Sequence, residues 1–175
     1  MSDFKFIRTR EVKAPTRANN DDAGVDCFFP TNLSEEEVRK EAKCNDELLY
    51  EIDETKKFVK KIIIPPHKRI NLQSGIHVNI PKAHALIAFG KSGVATKKGL
   101  DIIGGVVDAG YSGEMHIQLY NTTDQNVEIC AGEKIIQFIL LPVNCVTPVE
   151  LNTFEELYPI KTSRGNGGFG SSGQF

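Results

Sequence analysis

The chain has 175 residues, enough for one domain with a real core, and 21 Lys and Arg against 23 Asp and Glu leave a net charge of −2. That balance argues against nucleic acid or an anionic membrane as partner, yet permits a small anionic ligand at a local positive site. No apolar run approaches the roughly 18 residues of a membrane span, and Met1-Ser2-Asp3-Phe4-Lys5 lacks a signal-peptide layout. The expectation is a soluble cytoplasmic protein whose four cysteines, Cys27, Cys44, Cys130 and Cys145, are reduced thiols without metal-ligand spacing.

In chain order, Ala23-Gly24-Val25-Asp26 reads as a turn entering a strand. Residues 31–57 then break the pattern. Ser34 stands three before Glu37, a capping-box spacing, and Glu35-Glu36-Glu37 suit a helix start, with Val38, Ala42, Leu48 and Leu49 as a weak apolar stripe. This segment is either a charged, partly helical insertion or a surface loop. Short strands follow at Val78–Ile80, Ala85–Phe89 and Ile102–Val107, punctuated by turn residues. Gly90-Lys91-Ser92-Gly93 brings a cation and a hydroxyl to the start of a short helix that Ser92 caps and Gly99 ends. Free N–H groups there suit phosphate, although the pattern falls short of a Walker A loop.

Gly105-Val106-Val107-Asp108-Ala109-Gly110-Tyr111-Ser112-Gly113-Glu114 forms a hairpin mouth with one acid and one aromatic at its tip. Asp108 there either prepares a water for attack or satisfies turn amides. Met115, Ile117 and Leu119 alternate with polar residues, as in a strand with one buried face. Gly132-Glu133-Lys134-Ile135-Ile136-Gln137 leads into an apolar run to Val143, expected to be buried on both sides. The tail from Arg164 to Phe175 holds a guanidinium, glycines, hydroxyls and Phe169, and is either a phosphate clamp with a base lid or a flexible terminus. Regular short strands predict an all-β sandwich or barrel.

Taken in order, A-G-V-D, G-K-S-G-V-A, G-V-V-D-A-G-Y-S-G-E, G-E-K-I-I-Q and R-G-N-G-G-F-G-S-S-G closely resemble the five motifs of the trimeric deoxyuridine triphosphatase (dUTPase) family. The resemblance covers nearly the whole chain outside residues 31–57. It implies a β jelly roll with one short helix, a domain over 1–160, and an extended arm over 161–175 that closes over a neighbour's site. It also implies a homotrimer with shared active sites. The reaction would be hydrolysis of dUTP to dUMP and pyrophosphate with Mg²⁺, lowering dUTP and supplying dUMP for thymidylate synthesis.

On that resemblance Asp108 matches the water-activating acid and Tyr111 the aromatic under the deoxyribose. Gly105, Val106 and Val107 lie in the backbone that reads uracil, and Gln137 lies near the water and α-phosphate. Lys91, Ser92 and Gly93 match the phosphate-binding turn, with Lys91 where arginine is usual. Asp26 matches an aspartate acting on Mg²⁺ through water, the ion resting mainly on the triphosphate. In the arm, Phe169 would cover uracil, Arg164, Ser171 and Ser172 would hold the γ-phosphate, and Gly168 and Gly170 would let the backbone approach. Two rivals accompany this reading: a dCTP deaminase of the same fold, and a nucleotide-sensing module that binds an unidentified protein through residues 31–57. On the enzyme reading, deletion of 31–57 is expected to leave turnover largely intact.

Overall fold

The computed structural model describes residues 5–41 and 49–168. It divides into two compact units, Met1–Asn144 and Cys145–Phe175. In the first, the chain runs through β1 (Lys5–Arg8), β2 (Val25–Phe28), α1 (Glu35–Glu41), β3 (Leu49–Asp53), β4 (Phe58–Ile64), β5 (Arg69–Asn79) and β6 (His84–Gly90). It continues through α2 (Ser92–Lys98), β7 (Leu100–Ile102), β8 (Val106–Asp108), β9 (Glu114–Asn121), β10 (Val127–Cys130) and β11 (Lys134–Pro142). The strands form three sheets, ordered β1-β5-β9-β7, β10-β4-β3 and β2-β11-β6-β8, and every pairing among them is antiparallel. The architecture is all-β, as the strand spacing predicts. Among the described residues no helix is long and apolar enough to cross a membrane.

Alternation does most of the work. On β9 Met115, Ile117 and Leu119 are buried while the residues between them are partly exposed, which is the period-two reading realised. Fully buried Ile62, Ile64, Ile70, Leu72, Ile129 and Ile135 complete one core drawn from all three sheets. Burying each such side chain contributes about 1.5–3 kcal/mol.

Three expectations change. The run Ile102–Val107 is not one strand: the chain leaves the β9 sheet after Ile102 and joins β6 at Val106. The crossing uses Gly104, with φ +72°, and Gly105, where a Cβ would lie 2.9 Å from Ala88 Cβ. The run to Val143 is buried on both sides only in its first half. Pairing with β2 ends at Phe138, and beyond it Leu141 and Val143 are exposed. Helix α2 ends at Gly99 in the left-handed conformation as expected, but its N-cap is Lys91, and Ser92 is its first residue and makes no cap.

Residues 31–57 are the larger correction. The capping box is present: Glu37 N–H donates to Ser34 Oγ at 3.2 Å, and Ser34 N–H to Glu37 Oε2 at 2.9 Å. The segment is also tied into the core. Leu33 and Val38 are each 1% exposed within the core. Val59 N–H donates to Leu33 C=O, Ser34 bridges to Phe58, and β3 is an outer strand on β4. Leu49 belongs to β3 rather than to a helical stripe, and Ala42 and Leu48 lie outside the described residues.

In the second unit, Thr153 Oγ1 caps a one-turn helix, α3 (Phe154–Leu157), which the sequence reading missed although Thr153 and Glu156 stand at capping-box spacing. Arg164 Nε donates to Gly167 C=O at 2.9 Å.

The burial of Leu33 makes a direct test. Leu33→Ala should destabilise the protein by about 2–5 kcal/mol, the cost of a large-to-small core change. A shift in the urea midpoint at fixed protein concentration reads this out; a loop-like change below about 0.5 kcal/mol would restore the removable-insertion reading.

Candidate active site

The sheet crossing at Ile103–Gly105 opens a cavity of about 240 Å³. Backbone and side chains of Gly104, Gly105, Val106, Val107 and Asp108 line one side, with Tyr111 and Glu114 at the turn and Ile136 and Phe138 from β11. The crossing strand is pinned by Ala88 N–H donating to Gly105 C=O at 2.7 Å. Asp108 ends β8 and is exposed, and Tyr111 N–H donates to its carbonyl at 3.0 Å, closing the turn. The Tyr111 ring is 46% exposed, and its hydroxyl donates to Glu114 C=O at 2.9 Å. A glycine- and valine-lined wall, an exposed carboxylate and a half-exposed ring border this recess.

A second cluster lies elsewhere on the β2-β11-β6-β8 sheet. Asp26 of β2 is cross-strand to Gln137 of β11, which is cross-strand to Phe89 of β6. Gln137 Nε2 donates to Gly90 C=O at 2.9 Å. Asp26 is buried, with its side chain 5% exposed; Lys91 Nζ bonds its Oδ1, and Lys134 Nζ donates to its Oδ2 at 2.9 Å. An irregularity between Lys134 and Ile136 in the pairing with β2 accompanies this placement. Burial pushes the Asp26 carboxyl up, but hydrogen bonds and charge from Lys91 and Lys134 outweigh it and hold it below its ordinary 3.8. The stabilisation this implies is present above pH 3.8 and is lost as pH falls through the lowered value.

Next door, burial and then the Asp26 charge push the Cys27 thiol up to about 12, so it stays a thiol. Ser92 and Gly93 are exposed at the start of α2, and nothing stands within 4 Å of where a Gly93 Cβ would sit.

The structure thus brings the expected residues together in two groups. Gly105, Val106, Val107, Asp108 and Tyr111 line the cavity, whereas Asp26, Lys91, Ser92, Gly93 and Gln137 are absent from its lining. Along β6, Asp108 is opposite Ala85 and Gln137 is opposite Phe89. Four residue steps at ~3.4 Å separate those registers by roughly 14 Å along the strand, before the lateral offset is added. Arg164 and Gly168 are described in the second unit, with Arg164 exposed; Phe169, Gly170, Ser171 and Ser172 lie outside the described residues. Lys134 was missed as a site residue. Its signal was in plain view, the one cation within Gly132–Gln137, but nothing in the sequence showed Asp26 buried between Lys91 and Lys134.

The fit of a metal follows from the donor set. Among the described residues no three His, Cys, Asp or Glu side chains gather to hold an ion. Both oxygens of Asp26 already accept from ammonium groups, so a direct bond to a metal would compete with an ion pair, and a water-bridged contact asks less of it. The Asp26 donor set thus fits an outer-sphere contact to a hydrated cation such as Mg²⁺.

Comparison with known proteins identifies the family. The family model described as dUTPase matches residues 57–173. The deoxyuridine 5'-triphosphate nucleotidohydrolase of Paramecium bursaria Chlorella virus 1 is 38% identical over 115 residues, covering 66% of this chain and 78% of its own. That of Mycobacterium marinum is 32% identical over 162 residues, covering 91% and 86%. Among solved structures, the Staphylococcus bacteriophage 80alpha dUTPase with dUPNHPP has a TM-score of 0.73 at 21% identity, covering 99% of each chain. A mutant dUTPase from phage phi11 of S. aureus, in which a structural Mg(II) ion is coordinated, has a TM-score of 0.64 at 19% identity, covering 87% of this chain and 99% of its own. These two show the shared jelly-roll fold, and the family match and the mycobacterial relative carry the assignment: the chain belongs to the dUTPase family.

Proposed function

We propose that this protein hydrolyses dUTP to dUMP and pyrophosphate, with the nucleoside in the cavity at the sheet crossing and the triphosphate at the lysine cluster. The observation that carries the reading is the recess bounded by Gly105, Val106 and Val107 with Asp108 and Tyr111 at its mouth. A backbone wall of this kind offers fixed N–H and C=O groups to a uracil edge and has little room for a 5-methyl group. Tyr111 would pack under the deoxyribose, where a 2′-hydroxyl would clash.

In the reaction, water attacks the α-phosphorus and the bond to the oxygen bridging the α and β phosphates breaks. Pyrophosphate leaves with that oxygen, and Asp108 accepts the proton of the attacking water. Gln137 would orient the water at the α-phosphate. Lys91, Ser92, the N–H of Gly93 and Arg164 would bind phosphate oxygens, offsetting charge that otherwise repels the nucleophile. Mg²⁺, carried by the substrate, would supply charge neutralisation at the phosphates, and Asp26 would meet it through water.

The separation of Asp108 from Gln137 gives this reading an assembly. A reacting water cannot touch both within one chain, so the complete site takes the cavity of one protomer and the lysine cluster of another, in a closed symmetric oligomer. A homotrimer is the form proposed, and exposed Leu141 and Val143 at the outer end of β11 supply apolar surface for association. The arm, residues 161–175, would supply Phe169 to cover the base, with Gly168 and Gly170 giving close approach and Ser171 and Ser172 joining Arg164 on the γ-phosphate. Fully extended, a segment of that length would reach about 50 Å at ~3.3 Å per residue, enough for a neighbouring site.

Pyrophosphate release from dUTP, dCTP, dTTP and UTP with Mg²⁺ tests the reaction. Turnover of dUTP well above the other three is expected, and Asp108→Asn should lower it by roughly 10²–10⁴-fold. Binding of dUTP without turnover by the wild type would overturn the enzyme reading. Shared sites have their own signature. Asp108→Asn and Gln137→Ala chains, each weak alone, should recover roughly a quarter of wild-type turnover when refolded together, the share of mixed sites expected from random assortment. No recovery in verified mixed oligomers would place both groups on one chain.

A further inference from the structure

Glu37 lies in the first turn of α1, in the segment that no motif of the family claims, yet its carboxylate reaches the turn that holds Tyr111 through one intermediary. Arg10 Nη1 donates to Glu37 Oε1 at 2.5 Å, and Arg10 Nε donates to Glu114 Oε1 at 3.2 Å. Its third nitrogen, Nη2, bonds Gln73 Oε1. Glu114 Oε1 also accepts from Gly75 N–H at 2.6 Å, and the Glu114 carbonyl accepts from the Tyr111 hydroxyl at 2.9 Å. The side chains of Arg10 and Glu114 are each only 15% exposed. Coupling between such groups is stronger than on an open surface. Arg10 enters where the β5 pairing with β9 shifts register between Gln73 and His77, so the guanidinium sits at a break in the ladder.

The arithmetic of partners matters. One guanidinium serves two carboxylates and an amide oxygen, each through its own nitrogen, so the three partners together set its position. Glu37 uses Oε2 for the Ser34 cap and Oε1 for Arg10. Burial alone would push the Glu37 carboxyl up; the Ser34 N–H and hydroxyl together with Arg10 bring it below the usual carboxylate range, so it is charged and fully engaged at neutral pH. Remove that charge and Arg10 loses one of the three partners that hold it against Glu114, the residue that lines the cavity and whose carbonyl receives the tyrosine hydroxyl.

We infer that Glu37 is a specificity-positioning residue, which sets the placement of Tyr111 beneath the sugar through Arg10 and Glu114. The inference rests on the proposed role of Tyr111 in sugar discrimination. Segment 31–57 then contributes to substrate choice without touching substrate.

The test uses the full chain and compares kcat/KM for dUTP with kcat/KM for UTP, a ratio that does not depend on how much protein is active. Glu37→Gln should lower this ratio at least about threefold, the lower range of coupling between contacting residues, mainly through a higher KM for dUTP. Glu35→Gln, on the same helix but bonded to Arg39 and Tyr50, should leave the ratio unchanged. A lower melting temperature for Glu37→Gln with an unchanged ratio would overturn the inference, because a purely structural role predicts that result. If Glu37→Gln does not fold, Glu114→Gln carries the same test, since it keeps an acceptor for Gly75 N–H but removes the charge that Arg10 meets. Tyr111→Ala separates the two levels. A collapsed ratio there with an insensitive Glu37→Gln sinks the coupling alone; an unchanged ratio in Tyr111→Ala sinks the sugar reading and the coupling with it.

Discussion

One strand, β6, dictates most of what this protein can do. Its pairing with β8 fixes Asp108 opposite Ala85, and its pairing with β11 fixes Gln137 opposite Phe89. Both registers are held by buried side chains, including Leu86, Ile136 and Phe138, so a slip would turn the core outward. The acid and the amide are therefore separated by a rigid ruler that no rotamer change can shorten. On the proposed mechanism, a site that needs both would be completed by a second chain, with exposed Leu141 and Val143 near the outer end of β11 as apolar surface for it.

Electrostatics divides along the same line. The chain carries a net charge of −2, yet around Asp26 two ammonium groups face one carboxylate and leave a local surplus of one positive charge. A buried carboxylate with a single partner would be a poor anchor for phosphate chemistry, because pairing would cancel the cation that the phosphate needs. The second lysine resolves this: Asp26 is stabilised, and each ammonium, with three donors, retains capacity for another acceptor. Lysine gives up the planar fork of arginine, so the cluster acts as a pair of point charges and orientation must come from elsewhere. The backbone at the start of α2 and the Gln137 amide are the groups placed to supply it. At the other end of β6, Asp108 is exposed at the end of β8, away from the two lysines.

How much of this was legible in the sequence depends on whether a property is local. The β9 alternation, the Gly99 helix stop and the Ser34–Glu37 capping box are set by neighbours a few residues away, and each appears as read. The five motifs identify the family because each is a short run whose chemistry is carried together. What the sequence concealed is relational. Ile102–Val107 looks like one strand until Gly104 and Gly105 take the chain from one sheet to another, and periodicity has no symbol for a change of sheet. Lys134 looks like a solvated charge in a turn until register sets it against Asp26. The β11 run looks buried throughout because hydrophobicity does not say where β2 stops covering it.

Segment 31–57 shows the same limit most sharply. A high density of charge reads as surface, and here it misleads because burial is decided by two residues, Leu33 and Val38, among many exposed ones. Once those two enter the core, α1 is fixed, and a carboxylate on its first turn acquires a defined position relative to everything else the core fixes. Glu37 meets Arg10 for that reason, and Arg10 meets Glu114 because the β5 ladder is interrupted beside it. A segment added to an enzyme for any reason, if it is bolted down by core contacts, becomes mechanically continuous with the site whether or not it approaches substrate. The charged network gives that continuity a direction, from the α1 cap to the carbonyl that holds the Tyr111 hydroxyl. The segment is thus anchored by two apolar side chains and joined to the Tyr111 turn by one arginine.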